Sequence, residues 1–109
     1  MKLGRFVVQG LDGPVQRICM VLPEQSRVVD LRAAEVLRQQ ARGASREAAL
    51  RYASVVFPES MSAAIALGQQ FLDTATEAAH QYGDDASLPM DGLHWAPRSE
   101  EHTSELQSL

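Results

Sequence analysis

The sequence predicts an α+β domain, a small antiparallel sheet of three to four strands covered by helices. Three observations lead there. β-Branched and aromatic segments separated by turn formers fill the first thirty residues, four stretches with helical apolar spacing follow, and a short extended piece with the only tryptophan comes last. A chain of 109 residues, 45% hydrophobic and 22% charged, suits one hydrophobic core and is too apolar for wholesale disorder.

The first strand is expected at residues 2–9, where Phe6-Val7-Val8 has strong strand preference. Gly10-Leu11-Asp12-Gly13-Pro14 then turns the chain. The second spans residues 15–22; its apolar run Ile18-Cys19-Met20-Val21-Leu22 suits a central strand covered on both faces. After the turn Pro23-Glu24-Gln25-Ser26, a third strand at residues 27–30 completes a meander.

Asp30 is placed to cap a helix over residues 31–42, with Leu31, Ala34, Leu37 and Ala41 on its apolar face and Gly43 as its stop. Ser45 caps a second helix over residues 45–56, carrying Ala49, Leu50, Ala53 and Val56; Pro58 disfavours its continuation. A third piece at 60–67 presents Met61, Ala64 and Ile65. The fourth helix, 69–82, has the clearest stripe: Phe71, Leu72, Ala75, Ala78, Ala79 and Tyr82, with Gly83 as terminator. A polar loop at residues 84–92 leads to a last strand at 93–96, where Trp95 is expected to close the core.

Residues 98–109 break from this pattern, being polar, unpatterned and able to bury little. The stretch from Arg98 to Ser108 resembles the in-frame translation of a sequencing-library adapter, so the domain is expected to end at residue 97, followed by a non-native, disordered tail. On that reading the natural frame is interrupted near Pro97. The tail carries one arginine and three glutamates, a net of −2, which leaves the body at −2 of the chain's −4. Basic residues are dispersed among acidic ones, so neither nucleic acid nor an anionic membrane is expected as a partner. The N-terminal residues lack an export-type apolar region and no apolar run approaches bilayer length, which makes a cytoplasmic protein the expectation.

Candidate chemical groups are few. Cys19 sits in an apolar run with no activating base beside it and reads as a small buried thiol. Glu77 and His80 have the Glu-x-x-His spacing of di-iron bundles, but a single copy without further glutamates predicts a solvated helix face. Asp91 and His94 could form an acid–base pair, against which a histidine beside a strand-end tryptophan is more often structural. Arg32, Arg38, Arg42, Arg46 and Arg51 give the first two helices a basic character that could serve an interface or acidic ligand; solvated faces paired with Glu35 and Glu47 are the expectation. Ser60 and Ser62 lack a nucleophile-elbow setting, and no glycine-rich phosphate loop or zinc-type cysteine pair occurs. No catalytic, cofactor-binding or metal-binding residue is therefore assigned within the chain.

The order of short motifs carries a resemblance. Met1-Lys2-Leu3-Gly4-Arg5-Phe6, then Arg27-Val28-Val29-Asp30-Leu31-Arg32-Ala33-Ala34, then Phe57-Pro58-Glu59-Ser60-Met61 before Gly68, then Phe71-Leu72, and finally Leu93-His94-Trp95-Ala96-Pro97 resemble the opening domain of fumarylacetoacetate hydrolase family proteins. The resemblance implies a small N-terminal accessory domain whose principal partner is a missing C-terminal catalytic domain. There, acidic side chains would hold a divalent metal, usually magnesium, polarising the chelating keto or enol carboxylate of a small dicarboxylic acid for carbon–carbon hydrolysis, isomerisation or decarboxylation. It also implies a homo-oligomeric parent enzyme, of the kind used in aromatic catabolism, and an inactive fragment. The alternative is a stand-alone interaction module that docks through its arginine-bearing helices.

Overall fold

The computed structural model describes residues 2–11 and 13–96. Strands β1 (Leu3–Gly10), β2 (Gly13–Leu22) and β3 (Arg27–Asp30) are followed by helices α1 (Leu31–Ala41), α2 (Arg46–Val56), α3 (Met61–Ile65) and α4 (Gln69–Tyr82), then by strands β4 (Ser87–Pro89) and β5 (His94–Trp95). All five strands form one antiparallel sheet in the order β4-β3-β2-β1-β5. The β1–β2 hairpin runs from Leu3↔Met20 to Gly10↔Gly13, where Gly13 supplies a φ of +114°. At the next corner Pro23–Gln25 makes a 3-10 turn and Ser26 takes the left-handed conformation.

Strand β3 runs into α1 without an intervening residue because Asp30 serves both. Its backbone closes the ladder opposite Cys19, and its carboxylate accepts a hydrogen bond from the Ala33 amide at 3.2 Å. Ser45 and Ser60 cap α2 and α3 in the same way.

Alternation along the strands divides the sheet into two faces. On one, Leu3, Ile18 and Val29 meet Leu31, Ala34, Val56, Phe57, Ala64, Phe71, Ala75 and Ala78 from the helices, forming the principal core. On the other, Phe6, Cys19, Val21 and Val28 form a second core, with Met90 and Leu93 packed on it. The covering segment is short. Between Pro89 on one sheet edge and His94 on the other, five residue steps reach at most about 18 Å, whereas four strand spacings in a flat sheet need about 19 Å. The sheet therefore curls around Met90 and Leu93, which fill its concave side.

Several sequence expectations change. Residues 87–89, expected as loop, form the edge strand β4, which pairs Val28↔Leu88 and accommodates Pro89 at its end. Trp95 does not close the core: it is 42% exposed on a two-residue edge strand. It lies over Gly4, where an added Cβ would stand only 3.2 Å from its ring. Ala41, Leu50 and Ile65, expected on buried faces, are exposed. Gly83 ends α4 in right-handed rather than left-handed geometry (φ −59°), because the chain continues in tight turns through Ala86, whose amide bonds the Tyr82 carbonyl. The third helix is limited to Met61–Ile65. The tail expected at residues 98–109 lies outside the described residues.

Candidate functional site

The structure separates the residues whose chemistry drew attention in the sequence. Cys19 is fully buried on the second sheet face. Burial, reinforced by the Asp30 carboxylate and partly offset by a hydrogen bond from the Gly4 backbone, pushes its thiol from 9.0 up to about 12. A neutral thiol is unreactive, so modification at pH 8 is expected to require unfolding. The raised value also has a stability consequence. The folded state holds its proton more tightly, so this contribution is complete below pH 9 and fades as pH rises from 9 toward 12. The urea midpoint should fall over that range more steeply than in Cys19→Ala; parallel profiles would contradict it.

Glu77 and His80 part company on α4. The Glu77 carboxylate pairs with the Arg38 guanidinium, which also donates to both Glu35 oxygens at 3.1 and 3.2 Å. Gln39 donates to Glu35 at 2.6 Å. Glu35 is fully buried and Arg38 nearly so, which corrects the expectation of a solvated pair: α4 lies over them. Arg51 and Glu47 do form the expected exposed pair, at 2.9 Å. Arg32 turns inward and donates through Nε and Nη2 to the Phe57 carbonyl at 3.0 and 2.7 Å. Burial, then repulsion from Arg17, lowers its affinity for the proton, with Glu59 and Asp30 opposing. Arg17 pairs with Asp30 at 2.8 Å. Asp91 and His94 are both exposed, and no hydrogen bond or ion pair joins them. Ser60 is committed to its cap, while Ser62 is exposed.

His80 instead borders a cleft of about 470 Å³ between α4 and the β2–β3–β4 half of the sheet. Met20, Leu22 and Val29 make its apolar floor, and α4 contributes Thr76 and Ala79, too short to fill the space beneath them. Arg27 stands on the sheet side, its Nε and Nη2 donating to Ser87 Oγ at 3.0 and 2.8 Å. Ser87 in turn donates to the Asp84 carbonyl at 3.2 Å, so the guanidinium is held in a fixed direction by a neutral group.

No protein-family model, curated protein or solved structure matches the chain. The site must be judged on its own groups. Among the described residues no three His, Cys, Asp or Glu side chains come together in a way that could hold a metal ion. Asp30, Glu35, Glu47 and Glu77 are already engaged with arginines. Among the described residues, too, no helix is long and apolar enough to cross a membrane. What the cleft offers is a preformed apolar hollow with an oriented guanidinium, an imidazole and a carboxylate at its margin. Such a set can bind and orient a small molecule.

The cleft is not legible in the sequence. Arg27 and Ser87 are 60 positions apart, and neither has a distinctive neighbour. The one available signal was the run of small residues Thr76, Ala79 and Gly83 facing the long Met20 and Leu22.

Proposed function

We propose that this chain is the N-terminal accessory domain of a fumarylacetoacetate-hydrolase-like enzyme, a metal-dependent catalyst acting on small keto or enol dicarboxylic acids. The observation that carries the reading is the order of motifs along residues 1–97, from Lys2-Leu3-Gly4-Arg5-Phe6 through Val29-Asp30-Leu31 to Leu93-His94-Trp95-Ala96-Pro97. Two features of the fold support it. The Val-Asp-Leu element stands at the junction where β3 becomes α1, and apolar side chains stay open to solvent on several elements, with Val55 67% exposed and Leu50, Tyr52, Ile65 and Trp95 also exposed. Those on α2, Leu50, Tyr52 and Val55, are open for a neighbouring domain to cover. The domain's own task is then to pack against the catalytic domain, with metal binding and turnover carried beyond residue 97.

The test is to sequence the native gene across codon 97 and to assay the continuous protein with a 2,4-dioxo acid. The expected result is an open frame into an acidic metal-binding domain and magnesium-dependent turnover, with none from the 109-residue chain. A stop codon at that point, or a continuous protein inert toward such acids, overturns the reading. A stop codon would favour the interaction module, to which exposed Leu50, Tyr52 and Val55 beside Arg46 and Arg51 on α2 would then belong.

A further inference from the structure

The geometry points to the cleft under α4 as a binding site for a small monocarboxylic acid with a compact apolar body. This inference rests on the cleft's own chemistry and does not depend on the domain reading above.

Three observations converge. The first is shape: about 470 Å³ lies within the range of small-molecule sites, and the cleft persists because Thr76 and Ala79 leave part of the Met20–Leu22 floor uncovered. A phenyl-sized body placed there would remove apolar surface from water on both sides.

The second is an uncompensated charge. Arg17, Arg38 and Arg51 each have a carboxylate partner, whereas Arg27 is held only by the Ser87 hydroxyl, and no carboxylate among the described residues lies within ion-pair distance of it. Nη1 is left with two N–H groups that no described acceptor takes. A half-buried guanidinium pinned in direction, with one nitrogen open beside an apolar hollow, is an anchor for a carboxylate. His80, from α4, adds a second polar group at the margin.

The third observation limits the ligand's charge. Asp84 borders the same cleft and Asp85 follows it in the chain, so a second negative group on the ligand would meet repulsion. One carboxylate is favoured over a dicarboxylate or a phosphate. The net charge of −4 works against adventitious anion binding, so a saturable carboxylate site would owe its affinity to local geometry.

The probe is 3-phenylpropionate, titrated into the 15N-labelled 109-residue chain at low salt, with backbone amide shifts as readout. Saturable shifts are expected at Arg27, Val29, Ala79 and Ser87. The uncharged 3-phenylpropionamide and the dicarboxylate phenylsuccinate should each bind at least about tenfold more weakly. Arg27→Gln should weaken the acid by a similar factor, and Ala79→Phe, which fills the hollow, should abolish binding while the rest of the spectrum persists. If Arg27→Gln does not fold, the amide comparison and Ala79→Phe decide. Absence of saturable shifts, equal binding of acid and amide, or shifts mapping away from the cleft would overturn the inference.

Discussion

Glu35→Ala is expected to destabilise the chain by about 3 kcal/mol, a large share of the 5–15 kcal/mol typical of a domain. Glu35 has no solvent exposure, and its carboxylate takes hydrogen bonds from Arg38 and Gln39. Removing it strands a guanidinium whose side chain is only 8% exposed and whose Nε already lacks an acceptor among the described residues. The cost is that of a buried, under-compensated charge, moderated because Arg38 retains Glu77. Two companions separate this from simple packing loss. Glu77→Ala removes the solvent-facing partner, 55% exposed, and should cost roughly 1 kcal/mol or less. Replacing Glu35 and Arg38 together by leucine removes both charges, and should restore most of the stability or exceed it. Urea unfolding of the four proteins provides the comparison. A Glu35→Ala loss under about 1 kcal/mol, or a double variant no better than Glu35→Ala, would show that no buried charge is stranded.

That pair also shows where sequence reading reached its limit. An arginine three residues after a glutamate on a helix looks the same whether water or protein surrounds it. What buries Glu35 and Arg38 is α4, and Glu77 reaches Arg38 from 39 positions away. By contrast β1, β2, β3 and α4 were legible because their signals are local: β-branched runs bounded by turn formers, and an apolar stripe repeated over four turns. Asp30 was legible as a cap, since a short carboxylate before a helical pattern has few other uses. Strand β4 was not, because three residues ending in proline have no period, and their strand character comes from pairing with β3. Trp95 misled for a related reason. Its size argues for burial, but its position on a two-residue edge strand over Gly4 puts it on the sheet face that no helix covers.

The same distinction governs the chemistry. In the sequence His80 goes with Glu77 and nothing marks Arg27, because spacing within a helix is visible and proximity across the sheet is not. The fold redistributes them. Arg38 captures Glu77, and His80 and Arg27 come to border one hollow. The groups that could recognise a ligand are thus assembled by the packing of α4 on the sheet, and anything that loosens that packing should loosen the cleft.

Phe57→Ala should loosen it most, with an expected loss of about 3–5 kcal/mol and no cooperative unfolding transition if the parent chain is only marginally stable. Phe57 is fully buried and meets Phe71 of α4 edge to face, with ring centroids 5.7 Å apart and planes at 67°. Its backbone is fixed independently. The amide bonds Ala53, the carbonyl holds Arg32, and Pro58 follows, so the main chain cannot collapse into the space the ring leaves. The cavity term should therefore be expressed nearly in full, toward the upper end of the range. Phe57→Leu, which keeps most of the volume, should cost about 1 kcal/mol and preserve the transition. Circular dichroism during urea unfolding gives the energies, and amide exchange along α4 reports whether that helix has come loose. Protection of α4 unchanged in Phe57→Ala, or a loss under about 1.5 kcal/mol, would mean that the ring does not anchor α4 to the sheet.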